Sequence, residues 1–269
     1  SSNYNDAAKA YESAIKLSEI DSDYPFFQKA ISVGYGGNES KKITELEQFI
    51  SKYPKSQLRD DAMYELGNSY VKANQTQKAM AMYDRLNEEY RMSSFVPKSL
   101  LRQGLVYYNG SNNEQALVKF KKVAADFSGT PEAVQAVSTA RLIYIDMGRV
   151  DEYATWAKTL NFVNVTDADL ENATYEAAEK QYLDNNTDKA IQQFNGYLAQ
   201  FPNGLHALQA NFYLAQMYFQ KGLTDNAAKH YKYVVDTSRS EFTEEALSRL
   251  SQHYLDTKNW NGAIPLLTR

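Results

Sequence analysis

Cysteine is absent from the 269-residue chain, which excludes disulfides and thiol chemistry. That absence suits an oxidising compartment without demanding one. Long apolar runs are absent too: no stretch approaches the roughly 18 residues that a bilayer-spanning helix needs. Histidine is scarce. His206, His230 and His253 are scattered, and none has a partner at i+3 or i+4 that would complete a metal site. Positive charge is not in excess, and a net charge of −4 with a pI near 5.5 argues against a nucleic-acid footprint. The opening "SSNYNDAAKAYESAIKL" has no basic segment followed by an apolar one, so it does not read as a signal peptide. What the chain has is 43% hydrophobic and 13% aromatic residues under a mean hydropathy of −0.59. That is the balance of a folded protein rather than a disordered or membrane one. Its length favours two compact units.

The chain repeats itself. Anchors recur at Ala7, Lys42, Ala79, Ala116, Tyr153, Ala190, Ala227 and Ala263, spaced by 35, 37, 37, 37, 37, 37 and 36 residues. Four residues after them stand Tyr11, Leu46, Tyr83, Phe120, Ala157, Phe194, Tyr231 and Leu267; seven after come Ala14, Phe49, Leu86, Val123, Leu160, Tyr197 and Val234. Upstream, small residues recur at Gly67, Gly104, Ala178 and Ala215, with Tyr70, Tyr107 and Tyr218 three later. Spacings of three, four and seven mark one helical face. Each unit therefore reads as two helices joined by a polar turn, at "KANQT", "NGSNN", "DNNT", "QKGLT" and "DTKNW", where positive φ or an N-cap is needed. "YPKS", "FSGTP" and "FPNG" end the second helices. Strand signals are lacking. The expected fold is all-α: a right-handed α-solenoid of stacked antiparallel helix pairs, about 7 repeats of about 37 residues, small residues allowing close approach and aromatics filling the grooves.

"YELGNSY" (Leu66, Gly67, Tyr70), followed by Ala79 and Tyr83, resembles the signature of the tetratricopeptide repeat family along essentially the whole chain. The family's usual repeat is 34 residues, so this period implies helices about a turn longer. The longer form, with "YP-x-S" or "FP-x-G" between repeats, is similar to bacterial envelope tetratricopeptide proteins such as the Tol-Pal-associated division coordinator and the outer-membrane assembly lipoprotein. Those resemblances imply a non-enzymatic interaction scaffold in the periplasm or cell envelope.

Run to both ends, the register predicts that residues 3–17 are a second helix without its first and that "NWNGAIPLLTR" opens a truncated one. An excised piece of a longer array is expected, whose exposed ends could pair into dimers of no biological meaning. Around 130–166, Arg141 replaces a small residue, Tyr153 replaces an anchor Ala, and "NFVNVTD" lacks the usual stop. Two large residues at close-approach positions predict a splayed pair, dividing one continuous solenoid into 1–128 and 129–269.

Chemistry is hard to place. "GYGGN" (34–38) lacks the strand and Lys-Ser/Thr ending of a phosphate loop and reads as a turn. "KFKK" (119–122) reads as a solvated helix face, and no pair of carboxylates stands out. The Asn-x-Ser/Thr sites at Asn38, Asn74, Asn109, Asn164, Asn172 and Asn185 follow turn chemistry. No catalytic residue, cofactor or metal is assigned. In the tetratricopeptide pattern the first helices line an inner groove. Carried onto this register, a peptide would meet Tyr64, Asn68, Leu101, Leu105, Tyr108, Leu142, Ile145, Tyr175, Glu179, Tyr182, Phe212, Gln216 and Phe219, with Arg102 beside Leu101. Tyr and Phe offer large contact area at small entropic cost. The basic clamp of the chaperone-docking members does not carry over, because Tyr64 stands where its Lys would be. The expected partner is a protein or peptide; a spacer or self-assembly module, or a glycan-binding module, are the alternatives.

Overall fold

Every turn between paired helices closes in the same way. A residue with positive φ recurs at Gly37, Asn74, Ser111, Gly148, Asn185, Gly222 and Lys258, each between 57° and 96°. The residue after it returns its N–H to a carbonyl five positions back: Gln75 to Tyr70, Asn112 to Tyr107 and Asn186 to Gln181, all at 2.8 Å. This is the Schellman closure, which satisfies carbonyls orphaned at a helix C-terminus and requires a left-handed residue. The Gly- and Asn-rich runs thus stop one helix and start the next within a few residues.

The computed structural model of the protein describes residues 2–17, 22–237 and 239–268, and among these are fifteen helices and no strand. They group into two compact units, residues 1–140 and 141–269. The first holds α1 (Ser2–Leu17), the pair α2 (Asp23–Tyr35) and α3 (Glu39–Lys52), the pair α4 (Arg59–Lys72) and α5 (Thr76–Glu89), and the pair α6 (Phe95–Asn109) and α7 (Asn113–Asp126). The division falls inside α8 (Pro131–Asp146). The second holds α9 (Val150–Ala157), α10 (Asp167–Leu183) with α11 (Thr187–Gln200), α12 (Ala207–Gln220) with α13 (Thr224–Asp236), and α14 (Thr243–Asp256) with α15 (Trp260–Leu267).

Within a pair, the small residue and the aromatic sixteen positions later are one device. A Cβ built on Gly67 would lie 2.4 Å from Cε1 of Tyr83, and one on Gly104 would lie 2.4 Å from Cε1 of Phe120. Both rings are fully buried, as are Phe194 and the anchors Ala79, Ala116 and Ala190. The ring takes the space a Cβ would need, so the helices pack closely there and the apolar area is removed from water on both sides. Successive pairs are tied by the inter-repeat loops. Ser56 Oγ accepts the Leu58 N–H and donates to Asp23; Ser93 Oγ accepts the Phe95 N–H and donates to Asp60 at 2.6 Å. The serine of "YP-x-S" thus starts one helix and holds the first turn of the preceding first helix.

Two anchors are large. Lys42 is buried, its ammonium pairs with Glu65, and Gly34 leaves room for its stem, where a Cβ would lie 2.3 Å from Cδ. Arg141, at the small-residue position of its repeat, reaches Glu176 at 3.1 Å, and its register counterpart is Ala157, fully buried where other repeats carry Tyr, Phe or Leu. Bulk is exchanged across that pair rather than added to it. Tyr153 fills the anchor position among Tyr144 and Trp156, with centroids 6.1 and 6.4 Å away. α9 has 8 residues where α11 has 14, and the chain re-enters a helix at a capping box made by Thr166 and Asp169.

Candidate functional site

Three consecutive first helices of the first unit converge on a pocket of about 350 Å³. α4 contributes Glu65 and Asn68, α6 contributes Arg102, Leu105 and Asn109, and α2 contributes Tyr35; Lys42 and Tyr83 close it from α3 and α5. Asn68 Oδ1 accepts the Tyr83 hydroxyl at 2.7 Å, which orients the amide and leaves its NH2 group without a partner. Arg102 is exposed, pairs with no carboxylate, and donates only to the Tyr64 hydroxyl at 3.5 Å. That hydroxyl holds the guanidinium above its ordinary range. Tyr64 is wedged between Tyr83 and Phe95, with centroids at 6.3 and 5.2 Å. The pocket therefore presents the free NH2 group of Asn68 and the guanidinium of Arg102, which only the Tyr64 hydroxyl engages, beside the apolar Leu105.

Of the other residues expected to line an inner groove, several belong to the core instead. Leu101, Ile145, Tyr175 and Phe212 are buried. Ile145 packs with Val150, Ala173 and Ala177. Tyr175 stacks on His206 at 4.1 Å and donates its hydroxyl to Glu179 at 2.8 Å, and Phe212 stacks on Phe242 at 4.5 Å. Tyr182 stacks on Tyr213 at 4.5 Å and donates to Gln216 Oε1 at 3.0 Å. Tyr108 is half-buried, while Leu142 and Phe219 are exposed, the latter under the Arg249 guanidinium at 4.4 Å. Glu65, Lys42 and Tyr83, which the repeat pattern did not place in the groove, complete the pocket. Their signal was present as the Lys at an anchor position where alanine is the rule.

The histidines serve packing contacts: His206 Nε2 meets Asn172 Oδ1 at 2.8 Å, His230 Nδ1 meets Asn211 Oδ1 at 2.8 Å, and His253 lies 3.6 Å from Asp225. Among the described residues no cluster of His, Asp or Glu could hold a metal ion, and no helix is long and apolar enough to cross a membrane.

One carboxylate beside the pocket is perturbed. Burial, with Glu65 and Asp60 nearby, pushes Asp61 up to about 6, against the pull of Lys98 and Lys42. Its charged form is disfavoured in the folded state, so stability falls as pH rises from about 4 to about 6 and the deficit persists at pH 7. Asp61→Asn is expected to gain about 1 kcal/mol at pH 7, after allowance for solvent screening, and nothing at pH 3. Urea unfolding at the two pH values measures the difference; equal gains at both would refute the assignment.

A tetratricopeptide repeat model matches residues 61–91 and 98–130, and a second matches residues 175–242. The chain belongs to the tetratricopeptide repeat family. The first two matched segments span most of α4 to α7, of which α4, α5 and α6 line the pocket, and the third spans most of α10 to α13. Among solved structures, this tetratricopeptide chain is similar to the C-terminal part of a TPR repeat-containing protein from Cytophaga hutchinsonii: 14% identity, TM-score 0.53, covering 91% of this chain and 95% of that one. It is also similar to a chain of a Naa15/Naa10 structure bound to HypK-THB, at 14% identity and TM-score 0.56, covering 93% of this chain and 36% of the other. These likenesses concern the fold. A search of the curated proteins finds no match. The tetratricopeptide repeats suggest a protein-interaction scaffold.

Proposed function

We propose that the first unit holds an extended peptide or a helix of a partner protein in the pocket between α2, α4 and α6, without catalysis. The observation that supports this most is the free amide NH2 of Asn68 and the Arg102 guanidinium, unpaired with any carboxylate, lining the pocket with Leu105. Side chains of the partner would be buried against Leu105 and Tyr64, while its carbonyl or carboxylate oxygens accept from Asn68 and Arg102 and set the register. The setting we assign, the bacterial cell envelope, rests on the sequence resemblance and the absence of cysteine; fractionation of the native cells tests it, and recovery in the cytoplasm would sink it.

Arg102→Ala combined with Leu105→Ala removes one donor and one apolar contact without touching a fully buried side chain. Cross-linked capture from the native cells is expected to lose a specific partner with the variant, by about tenfold or more, while circular dichroism shows the same helix content. Equal capture by both proteins would refute the pocket as the binding surface.

A further inference from the structure

A second groove, of about 680 Å³, lies within the unit of residues 141–269. It runs along α11 and is floored by α10, where its residues Thr174, Ala177 and Gln181 lie about 130° around the helix from Tyr175, Glu179 and Tyr182. It is therefore a different surface from the inner groove expected from the repeat pattern.

Gly196 sits in the interior of α11, exposed in this groove, and nothing lies within 4 Å of the place a Cβ would occupy. The positions in register on α3, α5, α7 and α13 are Gln48, Arg85, Lys122 and Tyr233, all long side chains. Glycine inside a helix costs about 1 kcal/mol relative to alanine, and none of the described residues requires one here. Bare backbone on a groove floor is what close approach by another backbone needs.

The second observation is independent. Gln193, one turn earlier and packed over the turn at Gly148, has a buried side-chain carbonyl with no hydrogen-bond partner. Such an atom costs about 1–3 kcal/mol until something donates to it.

The rest of the lining names the chemistry. Gln192 and Gln200 add further amides. Asp146 is engaged by Lys180 at 3.7 Å, leaving Asp151 and Lys189, one charge of each sign. The groove thus offers neutral donors and acceptors, the complement of a peptide main chain. A sugar would want an open aromatic face, yet Tyr197, the lining aromatic, is fully buried with its hydroxyl bonded to Glu171 and the His206 N–H. From Lys189 to Gln200 the groove runs about 16 Å along α11, the length of about five residues of extended chain. We propose that this groove binds a short extended peptide segment, with a small residue seated on Gly196 and a main-chain N–H donating to Gln193 once its side-chain amide turns outward from the Gly148 turn.

The probe is a displayed library of random hexapeptides selected on the full chain, with selected peptides then labelled for fluorescence anisotropy. Peptides sharing Gly, Ala or Ser at one position are expected. Their affinity is expected to fall by about tenfold or more with Gly196→Arg, which restores the long side chain of the other repeats, and also with Gln193→Leu. Because Gly196→Arg adds helix propensity, its melting temperature is expected to hold or rise, so lost binding cannot be blamed on unfolding. Three results would overturn the proposal: no peptide selected, peptides that bind wild type and Gly196→Arg equally, or chitin oligosaccharides that bind here in their place.

Discussion

Gly67→Leu is expected to destabilise the first unit by about 3 kcal/mol, at the upper end for overpacking a core. Tyr83 cannot swing aside, because its ring is fully buried and its hydroxyl is bonded to Asn68. The new side chain must therefore drive α4 from α5, opening the pocket that both helices line. Urea unfolding gives the magnitude, and hydrogen exchange of the α4 and α5 amides locates the opening. The chain supplies its own suppressor design. At Arg141 and Ala157 the large and small residues are exchanged, so Gly67→Leu combined with Tyr83→Ala is expected to recover part of the loss, a coupling of about 1–2 kcal/mol. Additive effects of the two substitutions would show that ring and glycine are not one packing unit.

Tyr197→Ala is expected to cost about 4 kcal/mol in the second unit. The ring is fully buried and packs on Tyr175 and Phe201 at 5.8 and 5.7 Å. The hydroxyl does separate work. It donates to Glu171 on α10 at 2.8 Å and accepts the His206 N–H at 3.0 Å, pinning the loop 201–206 to α10. Tyr197→Phe keeps the ring and leaves both partners unmatched, so about 1.5 kcal/mol is expected. Burial and the bond to Glu171 hold this hydroxyl well above the ordinary tyrosine range, so the cost is expected to stay flat from about pH 5 to pH 9. A Tyr197→Phe variant as stable as wild type would remove the loop tether from the account.

Most of the fold was legible before any coordinates. Six of the seven positive-φ turns are where the Gly- and Asn-rich runs place them, the turn at Gly148 being the exception, and the packing of Gly67 on Tyr83 and of Gly104 on Phe120 joins a small residue and an aromatic that recur sixteen apart. The candidate site was legible in part. Asn68, Leu105 and Tyr64 are brought together with Arg102, whereas Tyr175 and Phe212 turn into the core. An inner-face rule assigns positions by helical angle alone, and on crowded helices neighbouring rings such as His206 and Phe242 cover some of them.

Periodicity by itself determined the helices, their turns and the contacts within each pair, because these are local and repeat with the chain. Only the tertiary structure decided which expected contacts are free. Burial depends on residues from other repeats, as when Lys42 meets Glu65 or Phe242 covers Phe212. The same holds for Gly196: the sequence marks a glycine within a helix, but three-dimensional packing shows that none of the described residues stands over it.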